Sequence, residues 1–128
     1  MSILGVGLDL VAIPRVERLI EGKGDRALKR LLTDAERSYC MQQPAPARHV
    51  AARLAAKEAA YKAFQAAVGA RGIGWREMEV VRDADGRPAL EFHGKAHDAA
   101  KVLRVASVFL SISHTIDNAA AVVILAGD

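Results

Sequence analysis

A long helix with a stripe of alanines constrains this chain more than any other feature. Pro44 and Pro46 interrupt the backbone, and from about Arg48 to Val68 small residues recur as Ala52, Ala56, Ala59, Ala63 and Ala67. Gly69, Gly72 and Gly74 then end the segment. This spacing predicts a helix, because residues three and four apart share a face, and side chains this small let the helix backbone pack close on a sheet. A candidate strand lies at the amino end. Over residues 3–11, Leu4, Val6, Leu8 and Leu10 alternate with Gly5, Gly7 and Asp9, which puts the two sets on opposite faces of a strand. The leucine–valine face is expected to be core. The glycine face leaves open backbone beside Asp9, where a ligand or another chain could approach closely.

The remaining elements follow from local signals. Pro14 suits the first turn of a helix carrying Val16, Leu19 and Ile20 inward, with Arg15 and Arg18 on a different side. Thr33 and Glu36 have the spacing of a capping box at the start of another helix, a structural role. Met78 to Val81 and Ala89 to Phe92 read as a hairpin around Asp83-Ala-Asp-Gly86, with Pro88 at a strand start. Residues 94–103 suit a short surface helix, and strands are expected at about Val105 to Ser113 and Ala119 to Leu125. The order β-α-α-α-β-β-α-β-β predicts an α+β fold with a mostly antiparallel sheet packed against the long helix.

A chain of 128 residues suits one domain, spanning 1–128. Cys40 is alone, so no intramolecular disulfide can form, and neither a secretory signal nor a membrane-spanning run is evident. These features point to a cytoplasmic protein without membrane insertion. The formal net charge is +3, and Arg15, Arg18, Lys23, Arg26, Lys29 and Arg30 crowd the first quarter of the chain, a patch suited to an anionic partner. Nucleic acid, a phosphorylated cofactor, anionic lipid and an acidic protein all satisfy that charge. With aromatic residues at 5%, a stacking platform for single strands is disfavoured.

The long helix also carries reactive side chains. Glu58 and Lys62 are one turn apart, and Arg53 and Lys57 share a neighbouring face roughly 100° away. With Asp9, they offer hard carboxylates and several cations. That set suffices for Mg2+ and a phosphate substrate, since Mg2+ takes one or two carboxylates and completes its shell with water and phosphate. Each residue also has a plain structural reading: Asp9 as a helix cap, Glu58 and Lys62 as an exposed ion pair, Arg53 and Lys57 as a solvated flank. His114, following Leu110 and Ile112 on one side of its strand, reads as a structural histidine, with Ser111 and Ser113 adding hydrogen-bonding capacity.

Order and spacing separate these readings. Gly5-Val-Gly-Leu-Asp9, Ile13-Pro-Arg15, Leu32-Thr-x-x-Glu36, Arg53-x-Ala-Ala-Lys-Glu-Ala-x-x-Lys-Ala63 and Leu110-Ser-Ile-Ser-His114 together resemble the 4′-phosphopantetheinyl transferases, and among them the short members that serve acyl carrier protein. The resemblance covers nearly the whole chain. It implies that family's fold and the Mg2+-dependent transfer of phosphopantetheine from coenzyme A to a serine of acyl carrier protein for fatty-acid synthesis. It further implies that Asp9 and Glu58 hold Mg2+, and that Lys62 serves the reacting phosphate. The transfer also needs a base for the serine proton, a role open to Glu58, directly or through a metal-bound water, unless Glu58 is a ligand alone. Arg53, Lys57, Ser113 and His114 would face the coenzyme, and Gly86, Arg87 and Pro88 would lie near its nucleotide. Arg15, extended by Arg18, Arg26 and Arg30, would meet the carrier. Ala27 stands where many relatives have phenylalanine, so an apolar carrier contact is either absent or supplied by Leu28. A homotrimer with active sites between subunits is also implied. Polyketide or peptide-synthetase carriers are the alternative substrates, and a basic nucleic-acid-binding domain, supported by charge alone, is the non-enzymatic alternative.

Overall fold

The computed structural model describes residues 1–68 and 72–128; Gly69, and Ala67 as a packing residue, lie outside that description. The chain runs β1 (Ser2–Ala12), α1 (Ile13–Gly22), α2 (Gly24–Leu31), α3 (Asp34–Met41) and α4 (Pro46–Val68). A single 3-10 turn (Trp75–Glu77) leads into β2 (Met78–Arg82), β3 (Pro88–Phe92), α5 (Gly94–Leu103), β4 (Ser107–His114) and β5 (Asn118–Gly127). β5 lies between β1 and β4 in an antiparallel sheet, and β2 and β3 form a separate antiparallel pair. The expected α+β architecture with antiparallel sheets and a long helix is the one observed.

One helix more than expected stands between β1 and β2. Lys23 closes α1 and opens α2, and Gly24 turns the chain with φ of 47°. α2 is held by Leu28, which is fully buried among α1, α3 and α4. Its charged residues masked this single apolar anchor, so the segment read only as a basic patch. The capping box at Thr33 and Glu36 forms as expected. So does the β2–β3 hairpin, where Gly86 takes φ of 81° and the Asp83 carboxylate accepts from the main-chain N–H groups of Asp85 and Arg87, both at 2.9 Å.

The expectation for β1 is reversed. Gly5 and Gly7 face α4, not open space: a Cβ on Gly5 would lie 2.2 Å from the Ala63 carbonyl oxygen, and one on Gly7 would lie 1.7 Å from that of Ala59. Val6, Leu8 and Leu10, expected in the core, are 48%, 65% and 65% exposed. Alternation separates two faces but does not say which one turns inward. Here contact between backbones decides it, because glycine on the strand and alanine on the helix remove every side chain from the seam. Ala56, Ala59, Ala60 and Ala63 are completely buried in that seam and around it. α4 is enclosed on the other side as well, with Val50, Ala51 and Leu54 meeting Ile13, Val16, Leu28, Leu32 and Cys40. A helix buried on several sides must be apolar nearly all round.

Gly7→Ala should therefore destabilise the protein by about 3 kcal/mol or more, since the carbonyl it meets belongs to a helix that cannot shift locally. Gly22→Ala, with nothing within 4 Å of the added carbon, should change stability by no more than about 0.5 kcal/mol. Urea unfolding followed by circular dichroism measures both, and equal costs would refute the close-packed seam.

Candidate active site

The same seam brings Asp9 to α4. Its side chain is 17% exposed, and its Oδ1 accepts a hydrogen bond from Lys62 Nζ at 2.9 Å; Lys62 also donates to the Leu8 carbonyl at 3.0 Å. The lysine thus bonds across to β1, which answers the reading of Glu58 and Lys62 as a surface ion pair. Glu58 is half-buried one turn earlier. Together with Asp9, Arg15, Arg18, Leu54 and Trp75 it lines a cleft of about 730 Å³. A smaller pocket of about 320 Å³ continues past Glu58 between Tyr61, Ile73, Trp75 and Met78. Two carboxylates in one cleft with a lysine beside them fit a hard divalent cation, which takes oxygen donors and leaves positions for water and phosphate.

The basic residues of α4 separate. Lys57 is wholly buried: its ammonium donates to Glu36 Oε1 at 2.6 Å and to the Trp75 carbonyl at 2.8 Å. Burial pushes that ammonium below its ordinary pKa, and the neighbouring Glu36 carboxylate works against the shift. Both of these bonds are internal, although Lys57 also lines the smaller pocket beside Glu58. Arg53 is 7% exposed, lies 4.6 Å over the Tyr39 ring and donates to the His49 carbonyl at 3.3 Å. Its Nε is buried without a hydrogen-bond partner. Arg82 sits over the same Tyr39 ring at 5.2 Å and bonds its hydroxyl. Arg53 and Arg82 share a cleft of about 220 Å³ with Glu36, Tyr39 and Glu79.

Most of the other implied residues lie apart from Asp9. Ser113 and His114 are exposed at the end of β4, and His114 lines a separate groove of about 680 Å³ with Ile13, Glu17, Pro44, Arg48 and Ile116. His114 is exposed at the end of a strand whose inward residues are only half-buried, so it is not an enclosed structural histidine. Arg87 and Pro88 are exposed at the hairpin and Gly86 is half-buried there. Arg15 and Arg18 line the Asp9 cleft, while Arg26 and Arg30 are exposed on α2. Leu28 is fully buried and cannot replace the apolar carrier contact that Ala27 lacks. Glu79, Glu91 and His93 form a further group within 4.8 Å on β2–β3. His93 and Glu79 already bond each other at 2.9 Å, and Glu79 accepts from the Thr33 hydroxyl at 2.7 Å.

Sequence reasoning missed Trp75, Tyr61, Tyr39 and Arg82, which belong to a 3-10 turn, helix flanks and a short strand without motif signals. Glu36 carried a signal, but the capping box accounted for it in full.

A match to the 4′-phosphopantetheinyl transferase superfamily covers residues 5–123. The chain belongs to this superfamily. Among curated relatives of this transferase, the holo-[acyl-carrier-protein] synthase of Koribacter versatilis is 46% identical over 124 residues, 96% of this chain and 98% of the relative. Among solved structures, the holo-[acyl-carrier-protein] synthase from Neisseria meningitidis has a TM-score of 0.86 at 31% identity, covering 98% of this chain and 99% of that one. The synthase from Bacillus anthracis, in complex with CoA (3′,5′-ADP), has a TM-score of 0.74 at 30% identity and covers 100% of both chains. Among the described residues, no helix of the transferase is long and apolar enough to cross a membrane.

The imidazole of His49 titrates below the ordinary histidine range, first because it is partly buried and then because Arg53, Arg48, His114 and Arg82 surround it. A depressed folded pKa favours the neutral form. Its contribution to stability is complete above the unfolded value and is lost as pH falls through the folded one. A polyanion such as pyrophosphate seated among these cations should raise the His49 pKa by neutralising them. Proton NMR of the imidazole measures the shift, and an unmoved titration curve at saturating pyrophosphate would show that the cations do not form an anion site.

Proposed function

We propose that this chain transfers 4′-phosphopantetheine from coenzyme A to a serine of apo-acyl carrier protein, giving holo-acyl carrier protein and adenosine 3′,5′-bisphosphate for fatty-acid biosynthesis. The observation that carries this reading is that Asp9 and Glu58 line one cleft, with Lys62 bonded to Asp9, in a member of this superfamily. The serine oxygen forms a bond to the β-phosphorus of coenzyme A, the bond from that phosphorus to the bridging oxygen breaks, and adenosine 3′,5′-bisphosphate leaves. Glu58 takes the serine proton. Asp9 and Glu58 would hold Mg2+, which when bound would supply neutralisation of the pyrophosphate charge. Lys62, already directed at Asp9, has the reach to meet charge that develops on the transferred phosphate. Positioning and charge account for the chemistry without a protein nucleophile. Burial pushes the Cys40 thiol up to about 11, so it remains protonated.

The two other cationic regions suit the two ends of the reaction. Arg53 and Arg82, close to Arg48 and His49, offer an anion site for the nucleotide phosphates. Arg15 and Arg18 stand on the rim of the catalytic cleft, where charge orients an acidic carrier during encounter; Arg26 and Arg30 extend that surface. The whole of 1–128 acts as one domain. A cytoplasmic location agrees with an unpaired cysteine and a coenzyme A substrate.

A homotrimer follows from the same reading. The face of the main sheet turned away from α4 carries Val6, Leu8 and Leu10 on β1 and Phe109 on β4, all among the exposed large hydrophobic residues. The strand register pairs Val6 and Phe109 with Ile124, and Leu8 with Val122, so these side chains form continuous rows. A sheet face this apolar suits a second surface, and the number three comes from the family resemblance. Assembly there would bring Ser113 and His114 of a neighbouring copy toward the Asp9 cleft.

Incubation with coenzyme A, Mg2+ and apo-carrier should add one phosphopantetheine to the carrier by intact mass. Asp9→Ala and Glu58→Ala should each lower turnover by about 100-fold or more while the fold persists, because each removes one of two protein ligands. Normal turnover in either folded variant would refute the metal assignment. Leu8→Asp should yield monomers in analytical ultracentrifugation with loss of transfer; trimers of wild-type stability would show that this face is not the contact.

A further inference from the structure

Glu36 does more than cap its helix. Glu36 is 2% exposed and Lys57 is fully buried, and the bonds of the Glu36 carboxylate reach three elements. Oε1 accepts from the Thr33 main-chain N–H at 2.8 Å and from Lys57 Nζ at 2.6 Å, and Oε2 accepts from the Val80 N–H at 2.8 Å. Lys57 gives its other bond to the Trp75 carbonyl. One pair of side chains therefore ties α3, α4, β2 and the 3-10 turn together at a single point. Such a pair is a poor source of stability, because removing two charges from water costs several kcal/mol that their attraction only partly returns. What it fixes is geometry.

The geometry it fixes belongs to the catalytic cleft. Glu58 follows Lys57 directly in α4, and Glu58 and Trp75 line both the large cleft and the adjoining pocket. The Lys57 ammonium therefore holds Trp75 at a set distance from the helix turn that carries Glu58. The rest of the turn has its own support, since Glu77 accepts from the N–H groups of Gly74 and Lys95, both at 2.7 Å. Loss of the Lys57 bond would release Trp75 without dismantling the turn.

We propose that Glu36 is a positioning residue for the transfer reaction: through Lys57 it holds Trp75 against the Glu58 side of the cleft. This rests on the reading of that cleft as the transfer site. Trp75 is the single tryptophan of the chain, so its fluorescence reports its position independently of activity.

Glu36→Gln keeps the shape and removes the charge. It should shift Trp75 emission to the red, make it more accessible to acrylamide, and lower kcat by roughly 10- to 100-fold while KM for the carrier stays within about twofold. The double variant Glu36→Leu/Lys57→Met removes both charges together and should unfold at or above the wild-type Tm, yet remain slow. It also serves as the test if Glu36→Gln alone does not fold. Recovery of Tm and kcat together in the double variant would overturn the proposal by showing a purely structural pair, as would wild-type emission and kcat in a folded Glu36→Gln. If wild-type protein binds coenzyme A without modifying any carrier, the transfer reading fails instead, and the emission change still reports whether Glu36 positions Trp75.

Discussion

The contact between the β1 backbone and the α4 backbone is the constraint on which the rest of the molecule depends. With Ala59 and Ala63 carbonyls so near Gly5 and Gly7 that a Cβ would overlap them, no side chain separates strand from helix. The short separation lets Lys62 on α4 reach Asp9 on β1, so the packing that stabilises the domain also assembles the charged cleft. A larger residue at either glycine would lengthen the distance between the very groups that meet there.

Close packing on that side has a consequence on the other. A strand with its glycines turned inward must present its large residues outward, which leaves Val6, Leu8 and Leu10 exposed. Burying leucine returns roughly 1.5–3 kcal/mol per side chain, and in this chain that gain is available only from another surface. The exposed apolar face and the internal seam are thus two results of one alternating pattern.

The charges divide according to solvent access. Lys57 and Glu36 are fully enclosed and satisfied by each other and by main-chain groups, so they set shape. Asp9, Glu58, Arg15 and Arg18 border a cleft, and Lys62, half-exposed and bonded to Asp9, can exchange that partner for a ligand. Neighbours in sequence fall into different classes: Lys57 turns into the protein, while Glu58 turns to the cleft. A rotation of about 100° per residue along a helix is sufficient to do this.

Local pattern was enough to establish several parts of the protein. The alanine stripe, the Thr33–Glu36 capping box, the Asp83–Gly86 hairpin and the two final strands were all legible, because propensity, capping and turn chemistry act over a few residues. The order of motifs around Asp9, Glu58 and Lys62 was likewise enough to indicate the family. The α2 helix was not legible, since one buried leucine among charges leaves almost no periodic signal. Tertiary structure alone decided which face of β1 turned inward, which of the α4 cations was enclosed, and that Trp75 would form a wall of the cleft. Alternation and helical spacing specify directions relative to an element's own axis, whereas burial depends on what packs against that axis. That packing is set here by contacts between residues about fifty positions apart.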